Sequence, residues 1–353
     1  MSARATDWTL AALVSIGFAT GGLTLYAGAS ADGWVFVLHG VAGIALAGVL
    51  VWKLRRVWPR LRHAELRDVY SPVGIAALVV VLAALASGVA WSSGITPYPF
   101  GISLLGWHDA IGATLMLVVA AHASARVRLP SRGNPDGRRD FLRASAVAAG
   151  AFAAWRLQAP AAGLFGLRGA HRRFTGSYET DSFAGNAFPT TSWVSDKPRP
   201  LDPQRWRLSV DGLVAKRLEL SLQDLDQGDE IVATLDCTGG FYSKQRWKGA
   251  RLTRILDEAQ PLPHARYVRV VSRTGYRWTY SLADAQRLLL ATRVTGEPLS
   301  HDHGAPLRLV APGRRGFEWV KWIVRLELTE APDHGALAST IWSSFTPAGR
   351  GET

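Results

Sequence analysis

The feature that most constrains this chain is a set of four long apolar runs near its start, at 8–26, 34–52, 73–91 and 102–122. A helix needs about 20 apolar residues to cross a bilayer, and each run has that length. Aromatic residues stand at most of the run ends, as they do at membrane interfaces. Residues 170–353 contain no such run and are typical of a folded mixed domain. The sequence therefore excludes a purely soluble enzyme and a disordered chain.

Basic residues alternate between the segments that connect these runs. The connections 27–33 and 92–101 contain no Lys or Arg. The second connection and the segment after the fourth run are basic, through Lys53, Arg55, Arg56, Arg60, Arg62, Arg67, Arg126, Arg128, Arg132, Arg138, Arg139 and Arg143. Because cytoplasmic loops are enriched in Lys and Arg, this pattern predicts a cytoplasmic N-terminus. Topology thus accounts for much of the net charge of +12, and we expect no nucleic-acid partner.

Two histidines within the runs share a local pattern. His39 precedes Gly43 by four residues, and His108 precedes Gly112 in the same way. Each glycine lies one helical turn from its histidine on the same face, which leaves room for a flat macrocycle. The histidines are 69 residues apart, so the four helices look like a duplicated hairpin with both rings at one depth near the outer face. Because ionisable residues inside a membrane are costly, we predict that this pair ligates one haem iron; polar packing between helices is the alternative.

His122 lies 14 residues after His108, a spacing that returns to nearly the same helix face about 21 Å away. The whole pattern, over about residues 8–125, resembles the di-haem cytochrome b membrane subunits, and the resemblance implies haem b with His122 as a ligand of a second, inner site. The equivalent position of the first hairpin is Lys53 rather than His. We therefore expect one haem b per chain. His122 is either the ligand of an incomplete second site or a residue of the membrane interface.

A fifth segment differs from the first four and begins with Arg138-Arg139-Asp140-Phe141-Leu142-Arg143, followed by an Ala-rich run to 155. It resembles a twin-arginine export signal, which implies that the twin-arginine machinery exports the rest of the chain. No convincing small-residue cleavage site follows, so we expect a retained fifth span. A basic loop with a peripheral helix is the alternative. Because this pathway carries folded proteins, the resemblance implies a C-terminal domain that acquires a cofactor before export.

The second half of the chain interleaves short strands with helices. The predicted strands are 206–210, 231–235, 267–271, 307–310 and 320–328, and the predicted helices are 221–225, 252–259 and 282–291. These elements follow no regular βαβ rhythm. The pattern therefore favours an α+β domain.

The single cysteine, Cys237, follows one predicted strand and begins a Cys-Thr-Gly-Gly turn. Two glycines let the backbone approach a ligand closely, and a thiolate is a soft ligand for redox metals; an inert buried cysteine is the alternative. Together with the segments 304–313 and 316–322, this turn resembles the sulfite oxidase family of molybdopterin enzymes over about residues 183–330.

The resemblance implies that Cys237 is the catalytic residue and binds the molybdenum of a Mo-molybdopterin cofactor. It implies further contacts to the pterin from the segment 186–192 and from the motifs that follow Cys237. These residues are Asn186, Phe188, Pro189, Thr190, Ser272, His303, Arg308, Trp319, Val320 and Lys321. A dianionic phosphate favours Arg and Lys as partners. Arg314 and Arg315 are also within reach in sequence, but a solvated turn is the favoured interpretation for them.

The sequence departs from the family at the residues after the cysteine turn. Sulfite-oxidising members place an Arg there to hold the anion, whereas this chain has Phe241, Tyr242, Ser243 and Lys244. Sulfite is therefore disfavoured as a substrate. An S-oxide, an N-oxide or an oxidised protein Met is favoured instead.

The expected organisation is a cytochrome b-like transmembrane domain over 1–130, a twin-arginine signal with a fifth anchor over 131–168, and a molybdopterin-binding oxidoreductase domain over 169–353. The expected fold class is a membrane all-α bundle followed by an α+β domain. This architecture resembles the bacterial reductase system that pairs an exported molybdenum subunit with a membrane cytochrome. The implied function is two-electron oxo transfer in a bacterial cell membrane, with the C-terminal domain outside and haem b exchanging electrons with the quinone pool. A redox-sensing or binding module without turnover is the alternative, and the sequence names neither the substrate nor the oligomeric state.

Overall fold

The computed structural model of the chain divides it into two compact units, Met1–Tyr178 and Glu179–Thr353. It describes residues 1–63, 65, 68–96, 100, 102–126, 137–191, 196, 198–226, 228–333 and 335–336. The predicted boundary between residues 130 and 131 lies outside the described residues.

The first unit is helical. Its long helices are α1 (Ala3–Thr24), α2 (Gly33–Arg62), α3 (Ser71–Ser92), α4 (Leu104–Arg126) and α5 (Gly137–Leu164). Ser2 caps α1, since its hydroxyl accepts a hydrogen bond from the Ala5 N–H at 3.3 Å. A proline stands in the first turn of α3, where its missing N–H costs nothing. The four predicted apolar runs and the predicted fifth segment are all helical.

The helices pack as two hairpins, α1 with α2 and α3 with α4, and α5 packs on α2. A buried apolar cluster lies between the hairpins, made of Val14, Leu46, Leu50, Val81, Ala84 and Leu115. Where α5 meets α2, Gly40 gives the room for an indole: a Cβ at that position would lie 2.6 Å from Trp155. The pairing of hairpins agrees with the duplication inferred from the two histidines.

Three helical segments of this unit are long and apolar enough to cross a membrane: Ser30–Arg62, Ser71–Ser92 and Leu104–Ser124. The helices α1 and α5 have sufficient length, 22 and 28 residues, but are less apolar. α1 contains Arg4, Asp7 and several threonines, and α5 begins with three arginines and contains Arg156. The expected five spans therefore remain a prediction, of which three helices satisfy length and composition.

The second unit mixes strands with short helices. Its elements are β1 (Tyr178–Glu179, which begins at the unit boundary), β2 (Leu208–Gly212), β3 (Leu218–Leu220), β4 (Asp229–Asp236), β5 (Phe241–Arg251), α6 (Leu252–Ala259), β6 (Tyr267–Ser272), β7 (Arg277–Ser281), α7 (Leu282–Ala285), β8 (Leu289–Val294), β9 (Glu297–Pro298), β10 (Arg308–Val310) and β11 (Ile323–Thr329). The coarse prediction, a helical region followed by a domain of mixed strands and helices, is confirmed.

Two sheets build this unit. One has the order β3-β2-β11-β6-β7, and the other contains β5-β8-β10, with β4 beside β5 and β9 beside β8. β2 and β11 pair in parallel, whereas β4–β5, β5–β8 and β6–β11 are antiparallel. The strands β8 and β10 are buried on both faces; Leu289, Leu290 and Ala291 of β8 are fully buried.

Two helix predictions in this unit were wrong. The segment 282–291 forms only the four-residue helix α7, and its second half enters strand β8. β8 bonds to β5 on one side and β10 on the other, so non-local pairing determined its conformation. The segment 221–225 forms turns rather than a helix. The predicted helix 252–259 is confirmed as α6.

Candidate active site

Cys237 lies at the end of β4, where the chain turns back into β5. The cysteine is only 5% exposed to solvent. The turn is closed by two backbone bonds, because the Cys237 N–H donates to the Phe241 carbonyl at 2.8 Å and the Gly240 N–H donates to the Cys237 carbonyl at 3.0 Å. Gly240 has a φ of 95°, a conformation that favours glycine. The predicted turn of two glycines thus presents one buried sulfur at a strand end.

The Cys237 sulfur lies within hydrogen-bond distance of two groups. The Gly239 N–H donates to Sγ at 3.3 Å, and the Thr191 hydroxyl lies 3.1 Å from it. A Cβ at Gly239 would lie 3.3 Å from Thr191 Cγ2 and 3.5 Å from the sulfur. The glycine therefore keeps the approach to the sulfur open on that side, as a metal-binding thiolate requires.

A buried ion pair lies behind the cysteine turn. Arg315, 3% exposed, donates from Nη1 to Asp236 Oδ1 at 2.6 Å and from Nη2 to the Cys237 carbonyl at 3.3 Å. Gly316 packs against the turn, because a Cβ there would lie 3.1 Å from Cys237 Cα. The interpretation of residues 314–315 as a solvated turn is thus correct only for Arg314, which is half-exposed and bonds to Asp284 at 3.0 Å. Arg315 instead fixes the cysteine turn, and Asp236 neutralises its charge.

Arg308 on β10 is a buried cation without a carboxylate partner among the described residues. It is 1% exposed, and its Nη1 donates to the His303 carbonyl at 2.9 Å. Its guanidinium carbon lies 5.1 Å from the Trp247 ring centroid, and its Nε has no hydrogen-bond partner. Burial lowers the pKa of Arg308 to about 9. A desolvated cation with an orphaned N–H is costly unless an anion accepts from it.

Lys321 is the second cation of the site. Its Nζ donates to the Asp302 carbonyl at 2.7 Å and to the Thr191 carbonyl at 3.1 Å. Burial and the neighbouring Arg308 lower the pKa of Lys321 to about 7. Gly304, with a φ of 103°, brings the two cations together: a Cβ there would lie 2.9 Å from Lys321 Cβ and 3.1 Å from Arg308 Cβ. Two cationic side chains that start from neighbouring backbone positions are an arrangement suited to an anion.

His303 is a neutral residue that fixes two loops to each other. Its Nε2 lies 2.9 Å from the Phe188 carbonyl and its Nδ1 lies 2.7 Å from the Ser300 hydroxyl. A carbonyl only accepts, so Nε2–H donates to it and Nδ1 accepts from Ser300. Burial, with the nearby Arg308, lowers the pKa of His303 to about 4. The imidazole therefore stays uncharged at neutral pH and adds no third positive charge.

The segment 186–191 is anchored by the protein's own contacts. Asn186 donates from Nδ2 to the Pro298 carbonyl at 2.9 Å and accepts from the Ser300 N–H at 2.9 Å. Phe188 is buried edge-on against His303, with the ring centroids 4.1 Å apart. Pro189 and Thr190 are exposed. Asn186 and Phe188 therefore anchor the loop, and Thr191 is its residue that contacts the Cys237 sulfur. Ser192, the last residue of the predicted contact segment, lies outside the described residues.

The remaining predicted contacts line a small cleft of about 50 Å³ that also includes Thr191 and Lys321. Ser272 ends β6 and is buried, with its hydroxyl 3.2 Å from that of Thr274. Trp319 and Val320 are both 1% exposed, and the Val320 carbonyl accepts from the Leu309 N–H at 2.8 Å. The structure thus places nearly all the predicted pterin contacts around one region. Within the predicted segment 186–192 it singles out Thr191 as the contact of the Cys237 sulfur, and it adds Arg315, for which a solvated turn was favoured.

The two histidines predicted as haem ligands face each other in the helical unit. The ring centroids of His39 on α2 and His108 on α4 are 5.9 Å apart, with the planes at 82°. His39 Nδ1 lies 3.1 Å from both the Gly17 carbonyl and the Thr20 hydroxyl, and His108 Nδ1 lies 2.9 Å from the Ser87 hydroxyl. The structure therefore brings this pair together as the sequence predicts.

The hydroxyl contacts fix the tautomer of both rings. The Thr20 hydroxyl donates to the Ile16 carbonyl at 2.6 Å, and the Ser87 hydroxyl donates to the Ala84 carbonyl at 3.0 Å. A hydroxyl has one proton, so each accepts from the histidine Nδ1–H. Nε2 of both rings then carries the lone pair, the form in which histidine ligates a metal.

The same architecture repeats in the two hairpins. A Cβ at Gly21, which follows Thr20, would lie 3.5 Å from His39 Cε1, and one at Gly88, which follows Ser87, would lie 3.2 Å from His108 Cε1. The glycines one turn after the histidines, Gly43 and Gly112, have no atom within 4 Å of a Cβ position. The space beside each histidine is therefore open, as the His-x-x-x-Gly pattern predicts.

The inner half of the bundle does not repeat in this way. His122 on α4 packs against Gly74 of α3, where a Cβ would lie 3.3 Å from its Cε1. At the equivalent positions of the first hairpin, Lys53 Nζ lies 2.7 Å from Asp7 Oδ1. An ion pair thus stands where a second histidine would be required.

Comparison with known proteins agrees with the geometry around Cys237. Residues 195–337 match the family model described as the oxidoreductase molybdopterin binding domain. The chain contains a molybdopterin-binding oxidoreductase domain. Its relatives include the NADPH nitrate reductase of Aspergillus niger, 33% identical over 37% of this chain and 19% of the relative, and the catalytic subunit MsrP of the protein-methionine-sulfoxide reductase of Gluconobacter oxydans, 31% identical over 46% of this chain and 56% of the relative.

Mitochondrial sulfite oxidase of Rattus norvegicus is a further relative of the molybdopterin-binding domain, 31% identical over 42% of this chain and 33% of the relative. The chain thus spans about a fifth to just over half of the length of these relatives. Their names cover sulfite, nitrate and methionine sulfoxide, so the relatives support oxidoreductase chemistry without selecting one substrate. The matched residues include Cys237, Ser272, His303, Arg308 and Lys321.

Proposed function

We propose that this protein is a membrane-bound molybdenum oxidoreductase that removes oxygen from an oxidised small molecule or from oxidised protein Met. Electrons would come from the quinone pool through one haem b. The observation that carries the proposal is that one residue, Thr191, contacts both parts of the site: its hydroxyl lies 3.1 Å from the buried Cys237 sulfur and its carbonyl accepts from Lys321 Nζ at 3.1 Å, next to the buried Arg308. This combination fits a pterin whose phosphate is a dianion and whose metal takes a cysteine ligand.

The residues present fit Mo-molybdopterin. Arg308, with its orphaned Nε, and Lys321 would hold the phosphate, whose negative charge offsets their desolvation. Neutral His303 would keep the loop of residues 186–191 in place beside them. Cys237 would ligate the metal while Thr191 and the Gly239 N–H donate to its sulfur. When bound, the group supplies two-electron oxo transfer at molybdenum.

The charges around Cys237 favour an uncharged oxo substrate over sulfite. Among the described residues, Arg315 is the guanidinium bonded to the cysteine turn, and Asp236 neutralises it at 2.6 Å. Lys244, the basic residue after the turn, extends over the Phe183 ring at 5.9 Å. With Arg308 and Lys321 occupied by the phosphate of the pterin, an anionic substrate desolvated at this position would have neither of these cations to pair with. We therefore favour a sulfoxide or an N-oxide.

The histidine pair fits haem b. The ring centroids of His39 and His108 are 5.9 Å apart, so both imidazoles would be available to hold one iron between them. In both rings Nε2 carries the lone pair that a metal needs. No atom lies within 4 Å of a Cβ position at Gly43 or Gly112, which leaves room beside the rings. When bound, the group supplies single-electron transfer. The Lys53–Asp7 ion pair at the inner position supports one haem rather than two.

We place the chain in a bacterial cell membrane with the N-terminus in the cytoplasm and the molybdopterin-binding domain outside. The first and third connections contain no Lys or Arg, which supports this orientation. The Arg138-Arg139 pair at the start of α5 supports export by the twin-arginine machinery, with α5 retained as an anchor. Its packing on α2, with Trp155 over Gly40, is the contact that a cleaved signal would lose.

Metal and pterin analysis of the purified full chain, followed by turnover assays, tests the proposal. With a reduced viologen as electron donor, we expect turnover of S-oxides or N-oxides, and no comparable oxidation of sulfite with ferricyanide. Binding of substrate without turnover in cofactor-loaded protein would favour a sensor instead. Faster sulfite oxidation than S-oxide reduction would contradict the charge argument.

A further inference from the structure

Arg172 is a cation that the proposed chemistry leaves unexplained. It lies after α5 in the helical unit, where its Nη1 donates to the Gly176 carbonyl at 2.6 Å. Its guanidinium carbon lies 4.2 Å from the Trp91 ring centroid and 5.8 Å from that of Tyr178. Its Nε is buried without a hydrogen-bond partner, and no carboxylate of the described residues pairs with it. Burial lowers the pKa of Arg172.

The position of Arg172 follows from its contact with Trp91. Trp91 lies three residues after Gly88 on α3, so both are on one face, and Gly88 is the residue that contacts His108. Three residues of helix rise about 4.5 Å. The guanidinium therefore lies about one helical turn beyond His108, towards the end of α3 at Ser92.

The same segment covers the other histidine-bearing helix at the same level. The ring of Phe174 meets that of Phe36 edge-on at 5.7 Å, and Phe36 lies three residues before His39 on α2. A Cβ at Gly33, the first residue of α2, would lie 3.8 Å from Phe174. Residues 172–174 thus lie over both helices, one turn beyond the two rings that face each other.

We propose that Arg172 binds the propionate carboxylates of a haem held by His39 and His108. The inference rests on the proposed haem site. A haem carries both carboxylates on one edge, and residues 172–174 lie beside both histidine-bearing helices, where that edge would be within reach of Arg172. A carboxylate there would accept from the orphaned Nε–H and the remaining N–H groups of Arg172, in the paired geometry that guanidinium and carboxylate prefer. Trp91 holds the guanidinium in place by a cation–π contact.

Haem binding to the full-length chain in detergent tests this, with protohaem compared to haem dimethyl ester, whose propionates are blocked. Losing a charge-assisted hydrogen bond costs enough to weaken binding about tenfold or more. We expect Arg172→Gln to weaken protohaem binding by at least this factor and to leave binding of the ester unchanged. Arg172→Lys should recover part of the loss because it keeps the charge.

The reduction potential gives a second readout that does not depend on turnover. Removing a positive charge beside the haem disfavours the electron-rich ferrous form, so Arg172→Gln should shift the midpoint downward by up to about 59 mV, a tenfold change in the one-electron equilibrium. The matched control is Arg168→Gln, which removes the same charge from an exposed residue four positions earlier. We expect the control to leave affinity and potential unchanged.

Several outcomes would overturn the inference. Equal weakening of protohaem and ester would show a purely structural role for Arg172. An equal effect of Arg168→Gln would show a general effect of surface charge, and unchanged haem properties would indicate that the guanidinium meets a lipid phosphate instead. If Arg172→Gln does not fold, equal affinity of the wild-type chain for protohaem and ester is the refuting result. A wild-type chain that binds no haem at all refutes the proposed haem site itself, whereas haem binding that ignores Arg172 refutes only this inference.

Discussion

Replacing the buried Arg308 by Met should have opposite effects in the cofactor-free and the cofactor-loaded protein. Arg308 is 1% exposed, has an orphaned Nε and pairs with no carboxylate among the described residues. If its role is to bind an anion, the empty site carries an unbalanced charge that methionine removes. If its role is structural, methionine destabilises both forms.

The magnitude follows from the pKa of Arg308, which burial lowers from its usual high value to about 9. That lowering corresponds to about 5 kcal/mol of destabilisation by the charged form in the folded state. Because the folded pKa lies below the unfolded one, the penalty is complete below pH 9 and is relieved as the pH rises above it. At pH 7 the substitution removes all of this penalty, and loses the bond to the His303 carbonyl, worth about 1–3 kcal/mol. We expect a net gain of at least about 2 kcal/mol.

Thermal unfolding of the full chain measures this, using protein from a host that cannot make the pterin. A gain of about 2 kcal/mol raises the unfolding temperature by about 4–8 °C for a unit of this size. In a host that makes the cofactor, the same variant loses charge-assisted bonds worth about 1.5–3 kcal/mol and should retain molybdenum about 10–100-fold less tightly. The matched control is Arg314→Met, whose half-exposed guanidinium should contribute less than about 1 kcal/mol in either form.

Two results would refute this reasoning about Arg308. An unfolding temperature of the cofactor-free variant that falls by several degrees would show that the guanidinium stabilises the fold by itself. Unchanged molybdenum and pterin content in the loaded variant would show that the anion site lies elsewhere.

Three further predictions follow from the sites described above. Cys237→Ser should abolish turnover while the haem absorbance is retained, because metal and haem bind in different units; joint loss of both in protein that still inserts would contradict this. His39→Ala should remove the haem and His122→Ala should not, with one iron per chain by pyridine haemochrome analysis of the wild type; a ratio near two would show that an inner site forms despite Lys53. Changing Arg138 and Arg139 to Lys together should prevent export of the molybdopterin-binding domain, measured by protease accessibility on spheroplasts; a domain still digested from outside would contradict the signal.

The local sequence pattern was sufficient to predict the secondary structure of the helical unit and of parts of the second unit. The apolar runs of the first unit are about 20 residues long, and a continuous apolar run of that length favours a helix, which satisfies its backbone hydrogen bonds internally. In α6, the buried residues Leu252, Ile255, Leu256 and Ala259 repeat with the helical period, so this helix was predicted to its exact ends. Where the period is clear and the contacts are local, the sequence determines the element.

Non-local pairing decided the elements that local pattern could not. β8 begins with the continuous apolar run Leu289-Leu290-Ala291, which is fully buried because the strand lies between β5 and β10. A continuous run does not distinguish a buried strand from a helix. The segment 282–291 was therefore predicted as helix, and only its pairing partners, about 20 to 40 residues away in sequence, made its second half a strand.

The sequence by itself determined which residue types carry chemistry: the lone Cys237 in its turn, the paired histidines His39 and His108, and the basic residues of the later motifs. Only the tertiary structure decided the burial, the charge partners and the protonation of these residues. The charge of the buried Arg315 is balanced by Asp236, which is distant in sequence but whose Oδ1 lies 2.6 Å from Arg315 Nη1. The tautomer of both histidines is set by the hydroxyls of Thr20 and Ser87 on neighbouring helices. Each of these hydroxyls donates its proton to a carbonyl of its own helix. Burial, charge pairing and protonation depend on atoms brought together by folding, and no local pattern encodes them.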